Sequence, residues 1–235
     1  MTIPLYLGDT YLFSSEAQIL RYGKDEKGSF IILDQTIFYP QGGGQPSDHG
    51  ILQQGTHKIN IILVRQVENE IRHYITSSSH DVALNDRVMC FLDKNARIWN
   101  SRYHTAGHLL GNTIELAYPM LKAIKGHSFP GEAYVEFQGD ANIDIRYIQN
   151  SIDEIIICND KIRTLETDSI SFESLFYKLP YPIPKEKKFR AIQIGNMAPV
   201  PCGGTHLRSV AEIGHIVVDK AKLKNNRLRV SYKVI

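Results

Sequence analysis

The stretch that decides the fold is Asp93 to Leu121, "DKNARIWNSRYHTAGHLLGNTIELAYPML". Within it the apolar period lengthens to that of a helix. Trp99, Tyr103, Ala106, Leu110 and Ile114 recur at helical spacing, and Pro119 stops the run. Asp93 or Asn95 can cap the start. One long amphipathic helix is therefore predicted. His104 and His108 stand at i and i+4, so both imidazoles leave the helix on one face. That face is rotated away from the Tyr103, Ala106, Leu110 stripe.

Working outward, the N-terminal side reads as strands. "GSFIILDQTIFYP", "INIILVRQV", "IRHYIT" and "DRVMCFLD" are rich in β-branched and aromatic residues, with Gly, Asp, Asn and Ser between them. Many short strands predict a small barrel. On the C-terminal side a strand is expected at "AYVEFQG", then a second amphipathic helix carrying Ile145, Ile148, Ile152, Ile155 and Ile156 on one side. Short strands follow at "KIRTLE" and "FRAIQIG". The closing "HIVVDKAKLKNNRLRVSYKVI" reads as a hairpin turning at Asn225-Asn226. The expected architecture has two domains: a small all-β barrel over residues 1–94, and an α+β domain over 95–235 with helices on a mainly antiparallel sheet.

The chain of 235 residues is 43% hydrophobic and 22% charged, with a net charge of +2, ordinary values for a globular protein. Cys90, Cys158 and Cys202 are odd in number and widely spaced, which argues against a disulfide scaffold and for a reducing compartment. No stretch approaches the roughly 18 apolar residues of a membrane span, and the N-terminus lacks the pattern of a secretion signal. The expectation is a cytoplasmic protein with no membrane partner. Its oligomeric state is not legible in the sequence.

A second motif, "PCGGTH", places Cys202 and His206 in a loop after a strand, with glycines that let the backbone fold tightly. Imidazole and thiolate are ligands that zinc prefers. Other zinc chemistries fail on the letters. A zincin protease needs a glutamate after the first histidine, where Thr105 stands. A nucleobase deaminase needs a second cysteine after Pro-Cys, which is missing. A purely structural zinc stays open, since four protein ligands close the shell.

The third motif is Phe38 to Gly50, "FYPQGGGQPSDHG". Three consecutive glycines call for positive φ or close approach to the backbone. A phosphate-binding P-loop is excluded, because that motif ends in Gly-Lys-Ser/Thr and opens a helix. Taken alone, the segment is a turn.

Together, "HTAGHLL", "CGGTHL" and "TIFYPQGGGQPSDHG" resemble the editing domain shared by alanyl-tRNA synthetase and the AlaX proteins, over essentially the whole chain and in the same order. The length and the Gly-rich segment resemble the medium-sized AlaX class, with its translation-factor-like N-terminal barrel. The resemblance implies an aminoacyl-tRNA deacylase that acts in trans on the acceptor end of mischarged tRNA(Ala). Its substrate would be chiefly Ser-tRNA(Ala), with Gly-tRNA(Ala) as a second candidate. The need is physical: an alanine pocket discriminates weakly against a smaller side chain or one added hydroxyl.

Residue by residue, the resemblance implies one zinc ion per chain held by His104, His108, Cys202 and His206. It puts Gly42, Gly43, Gly44 and Gln45 beside the aminoacyl end. Thr36, just before the glycines, is a candidate for sensing the serine hydroxyl. Ile124 and Lys125 precede Gly126 where the bacterial synthetases tend to carry a glutamine, so that residue's role does not carry over. Positive charge concentrates in the last hairpin, with Lys222, Arg227 and Arg229 as candidate tRNA contacts, and in "PKEKKFR", with Lys185, Lys187, Lys188 and Arg190. Two alternatives remain: editing of the threonyl-tRNA synthetase type, and a non-catalytic tRNA-binding module with a structural zinc.

Overall fold

A computed structural model describes residues 1–76, 83–175 and 188–235. Eight strands come first: β1 (Ile3–Pro4), β2 (Ser14–Asp25), β3 (Gly28–Leu33), β4 (Gln35–Thr36), β5 (Gly50–Gln54), β6 (His57–Val67), β7 (Glu70–Ile75) and β8 (Arg87–Leu92). Six of them close a barrel in the order β2-β3-β7-β6-β5-β8, every pairing antiparallel. β1 and β4 form a separate parallel pair. The long strand β2 closes the barrel. Its first part, Ser14–Gln18, pairs with β8, and from Ile19 onward it pairs with β3. A bulge between Ile19 and Arg21 bends it between the two partners. Ile19, Ile31, Leu33, Leu52, Ile61 and Val64 fill the interior.

Two buried polar clusters lie in this barrel unit. Arg97 is completely buried and forms an ion pair with Asp48. Its guanidinium also donates to the carbonyls of Thr10 and Ile37, at 2.9 and 2.5 Å. Asp48 accepts in turn from the Tyr39 amide at 2.6 Å. The second cluster is Thr36 with His73, both fully buried. His73 Nδ1 lies 3.0 Å from the Ile31 carbonyl, which places the proton there, so Nε2 accepts from the Thr36 hydroxyl at 2.8 Å. Burial holds the His73 pKa down to about 4, so the ring is neutral.

The second part begins with α1 (Lys94–Ala117), whose first turn is capped by Asp93 accepting from the Ala96 amide at 3.0 Å. There follow β9 (Lys122–His127), β10 (Tyr134–Gln138), α2 (Ile145–Cys158), β11 (Ile162–Thr167), α3 (Ser169–Leu175), β12 (Phe189–Ile194), β13 (Val200–Pro201), β14 (Ile216–Lys224) and β15 (Arg227–Val234). Four strands form an antiparallel sheet in the order β14-β15-β10-β9, and β11-β12-β13 form a second sheet. The closing hairpin turns where expected: Asn225 and Asn226 have φ of 50° and 56°, the left-handed pair of a two-residue turn. Asp144 caps α2 by accepting from the amides of Arg146 and Tyr147.

The chain divides into two compact units, Met1–Ser101 and Arg102–Ile235, with the division inside α1. In the second unit α1 packs on the inner face of the four-stranded sheet. Gly107 makes that approach possible: a Cβ there would stand 2.7 Å from the Tyr232 hydroxyl. That hydroxyl is fixed, donating to the Tyr103 carbonyl at 2.8 Å with Ser128 Oγ 3.3 Å away. Among the described residues no helix is long and apolar enough to cross a membrane.

Candidate metal centre

His104 and His108 sit in the middle of α1, one turn apart, with ring centroids 5.0 Å from each other. Cys202 and His206 come from the loop after β13. That loop is tied down at both ends of its short span. The Cys202 amide donates to the Arg190 carbonyl at 3.0 Å, and the Arg190 guanidinium donates to the carbonyls of Cys202 and Gly204, both at 2.9 Å. The Gly204 amide points at Cys202 Sγ from 3.3 Å. The loop thereby carries its thiol and imidazole against the α1 pair.

The four donor atoms converge. All lie within 4.8 Å of one another. Cys202 Sγ is 3.5 Å from His104 Nε2 and 3.3 Å from His206 Nε2. The rings of His104 and His206 have centroids 4.5 Å apart. Burial holds all three imidazoles below their ordinary pKa, His108 at about 4, with the Arg190 charge adding to the effect. Burial pushes the Cys202 thiol up, while the Gly204 amide and Arg190 oppose that rise. Three neutral imidazoles and one sulfur in contact form a donor set for a metal cation, since one thiol hydrogen can serve only one of the nitrogens it meets.

Thr105, notable in the sequence only as the residue that is not glutamate, orients the site. It is fully buried, and its hydroxyl lies 3.4 Å from His206 Nδ1 while accepting from the Leu207 amide at 3.3 Å. With Nδ1–H donated to Thr105, Nε2 is the nitrogen left for a metal. Arg190, read in the sequence as a surface phosphate contact, is instead committed to the Cys202 loop. No local pattern announces either role. Both depend on residues about a hundred positions away, or on a neighbouring strand.

The other expected site residues are placed as follows. Gly42 to Gln45 form a tight turn: the Gln45 amide donates to the Gly42 carbonyl at 2.9 Å, and Gly43 and Gly44 have φ of 54° and 77°. Successive left-handed residues are the geometry of a type I′ turn, which accounts for two of the three glycines. The Tyr39 hydroxyl holds the turn by donating to the Gly42 carbonyl at 2.8 Å. The Gln45 side chain is fully buried. The Thr36 hydroxyl is shared between His73 and the Phe38 amide, which donates to it at 3.0 Å. Lys222, Arg227 and Arg229 lie on the solvent face of the four-stranded sheet. Lys188 is exposed and pairs with Glu166 at 3.4 Å. Lys185 and Lys187 lie outside the described residues.

Comparison with known proteins finds relatives among alanyl-tRNA editing proteins and alanine–tRNA ligases. The model of the class II (A) tRNA synthetases matches residues 10–96. The chain is 31% identical over 226 residues to the alanyl-tRNA editing protein AlaX-L of Pyrococcus horikoshii, covering 95% of this chain and 55% of that protein. It is 29% identical to the alanine–tRNA ligase of Archaeoglobus fulgidus, covering 94% of this chain and 24% of the ligase. The AlaX-M protein of Saccharolobus solfataricus is 29% identical over 242 residues and is covered almost end to end, 100% of this chain and 99% of that protein. The chain thus spans about half of AlaX-L and a quarter of the ligase, but the full length of AlaX-M. With a convergent His₃Cys cluster, the chain is similar along nearly its whole length to alanyl-tRNA editing proteins, to AlaX-M from end to end and to about half of AlaX-L.

Proposed function

We propose that this protein hydrolyses the ester joining a wrong amino acid to tRNA(Ala), chiefly serine and secondarily glycine, using one zinc ion held by His104, His108, Cys202 and His206. The observation that carries the reading is the convergence of those four donors within 4.8 Å, in a chain similar from end to end to an alanyl-tRNA editing protein. Bond lengths support zinc. A tetrahedral ion at about 2.0–2.1 Å from nitrogen and about 2.3 Å from sulfur gives N···S edges of about 3.6 Å. The separations at Cys202 are 3.5 and 3.3 Å, near that edge, while the four donors together span up to 4.8 Å and would draw closer around an ion. When bound, the ion supplies Lewis acidity and a fixed point for the substrate.

The chain's own residues do the rest. Thr105 fixes the His206 ring, Arg190 holds the Cys202 loop closed, and the α1 backbone sets the spacing of the histidine pair. The Arg190 charge, close enough to depress three imidazoles, also favours negative charge developing on an ester oxygen nearby. The Gly42–Gln45 turn is assigned to recognition of the aminoacyl end, and Lys222, Arg227 and Arg229 to the tRNA backbone. Thr36, expected from the sequence to sense the serine hydroxyl, is not assigned that role, because it is fully buried and its hydroxyl is taken up by His73 and the Phe38 amide. The protein works in the cytoplasm in this reading.

The deciding experiment measures release of amino acid from Ser-, Gly- and Ala-tRNA(Ala). Serine is expected to leave fastest, with Ala-tRNA(Ala) largely intact. Equal rates on all three, or none with metal bound, overturn the reading and favour a binding module. Preference for Ser-tRNA(Thr) moves the protein to the threonyl type.

A further inference from the structure

The four-stranded sheet has two unlike faces. The inner face is apolar and carries α1, through Ala123, Val135 and Tyr232. On the outer face the cross-strand register lines side chains up in rows. One row runs Lys222, Arg229, Glu136, Lys125; the next runs Lys224, Arg227, Gln138, Lys122. A third row runs Lys220, Ser231, Tyr134, His127. Seven Lys or Arg share these rows with a single carboxylate, Glu136, which pairs with Arg227 at 3.1 Å. A whole-chain charge of +2 hides this concentration.

The third row is aromatic at one end. His127 stacks on Phe129, with centroids 4.5 Å apart and planes at 6°, and on Tyr134 at 5.1 Å. The Arg229 guanidinium lies 3.4 Å from the centre of the Tyr134 ring. Four flat groups therefore follow one another across the sheet. Beside them opens a cleft of about 450 Å³, lined among others by Glu132, Lys220, Ser231 and Lys233. The cleft combines ring edges and faces, three cations (Lys220, Arg229 and Lys233) and two carboxylates, Glu132 and Asp219, that can accept from an exocyclic amine.

We propose that this outer face is a binding platform for an unpaired RNA strand. The Lys and Arg rows take its phosphates, and one base enters the cleft against the His127–Tyr134–Arg229 stack. Flat cations and aromatic rings on an open sheet are the means by which sheet domains hold single-stranded RNA. The sheet itself separates this platform from α1 and its two metal-site histidines, so the platform grips RNA other than the residue undergoing hydrolysis. RNA as the partner rests on the tRNA reading above. The remaining argument is the charge and ring geometry of this face.

The test is fluorescence anisotropy with a labelled 12-nucleotide unpaired RNA and, in parallel, a blunt RNA duplex of equal length, over a series of NaCl concentrations. The oligonucleotides carry no ester, so the result is independent of hydrolysis. A failed deacylation assay beside intact RNA binding removes the editing reading alone, and the reverse removes the platform alone. Tyr134→Ala should weaken unpaired-RNA binding roughly tenfold with the salt slope unchanged, and Tyr134→Phe should retain affinity. Lys222→Gln with Arg229→Gln should weaken it further and lower the log–log salt slope by about 0.7 for each cation removed. Circular dichroism and metal content check that each variant is folded. The proposal is overturned if the folded variants bind as the parent does. It is also overturned if the duplex binds as tightly as the unpaired strand with Tyr134→Ala silent, since that means phosphate attraction alone.

Discussion

The barrel unit and the second unit each bury a cluster of polar side chains, and the clusters differ in how their hydrogen bonds close. In the barrel, Arg97 meets Asp48 and two carbonyls, while Thr36 and His73 satisfy one another through a single defined tautomer. Donors face acceptors, and the clusters close within the chain. In the second unit, three imidazoles and a thiol converge with an excess of lone pairs over protons. Closed polar networks specify a fold. A convergent set of like donors is built for a cation. Burial alone does not separate the two, because His73 and His104 are both buried and both held neutral. The partner each nitrogen faces does.

The largest expected effect that could break this contrast lies in the barrel. Arg97→Met leaves the Asp48 carboxylate buried without its partner and should cost about 3–5 kcal/mol in urea-induced unfolding. A loss below 1 kcal/mol would mean that the ion pair is not part of the framework. In the second unit the equivalent stress is removal of metal. Chelation should lower stability by up to about 4 kcal/mol where free zinc stood at a thousand times its Kd, and Cys202→Ala should abolish that dependence. A chelator-insensitive unfolding curve for the parent protein would remove the cation from the account.

A pH series sharpens the contrast from the barrel side. The folded His73 pKa of about 4 lies below its unfolded value near 6.5, so the unfolded chain binds the proton first. Stability is therefore complete above pH 6.5 and declines as pH falls toward 4, by roughly 3 kcal/mol from this one group. His73→Leu should flatten that part of the profile even if its overall stability is lower. An unchanged slope would show that His73 is already protonated in the fold. The smallest expected effect is Gly107→Ala. The added methyl meets the pinned Tyr232 hydroxyl at 2.7 Å and should cost about 1–3 kcal/mol, with metal still bound.

Much of the centre was legible in the sequence because its ligands come in two short-range pairs, 104/108 and 202/206, whose spacing carries local geometry. The long helix and closing hairpin were legible for the same reason: period, Pro119 and Asn225-Asn226 act within a few residues. What escaped is non-local. "SSEAQILRYGKD" is too polar to announce the strand β2 that closes the barrel, because its residues divide between two partners and two environments. The glycine run declared a need for unusual backbone, and the turn geometry at Gly43 and Gly44 now supplies one reason for it. Thr105 and Arg190 acquire their roles only through chain segments that the fold brings together. The basic face of the sheet likewise arises from the register of four strands, two of them nearly a hundred residues from the others.

The most direct test of the central claim is a zinc add-back titration read by serine release from Ser-tRNA(Ala). Chelator-stripped protein should be inactive, and activity should return in proportion to zinc until one equivalent per chain is bound. Full activity in the stripped protein, or a titration that takes up no zinc at His104, His108, Cys202 and His206, would contradict it.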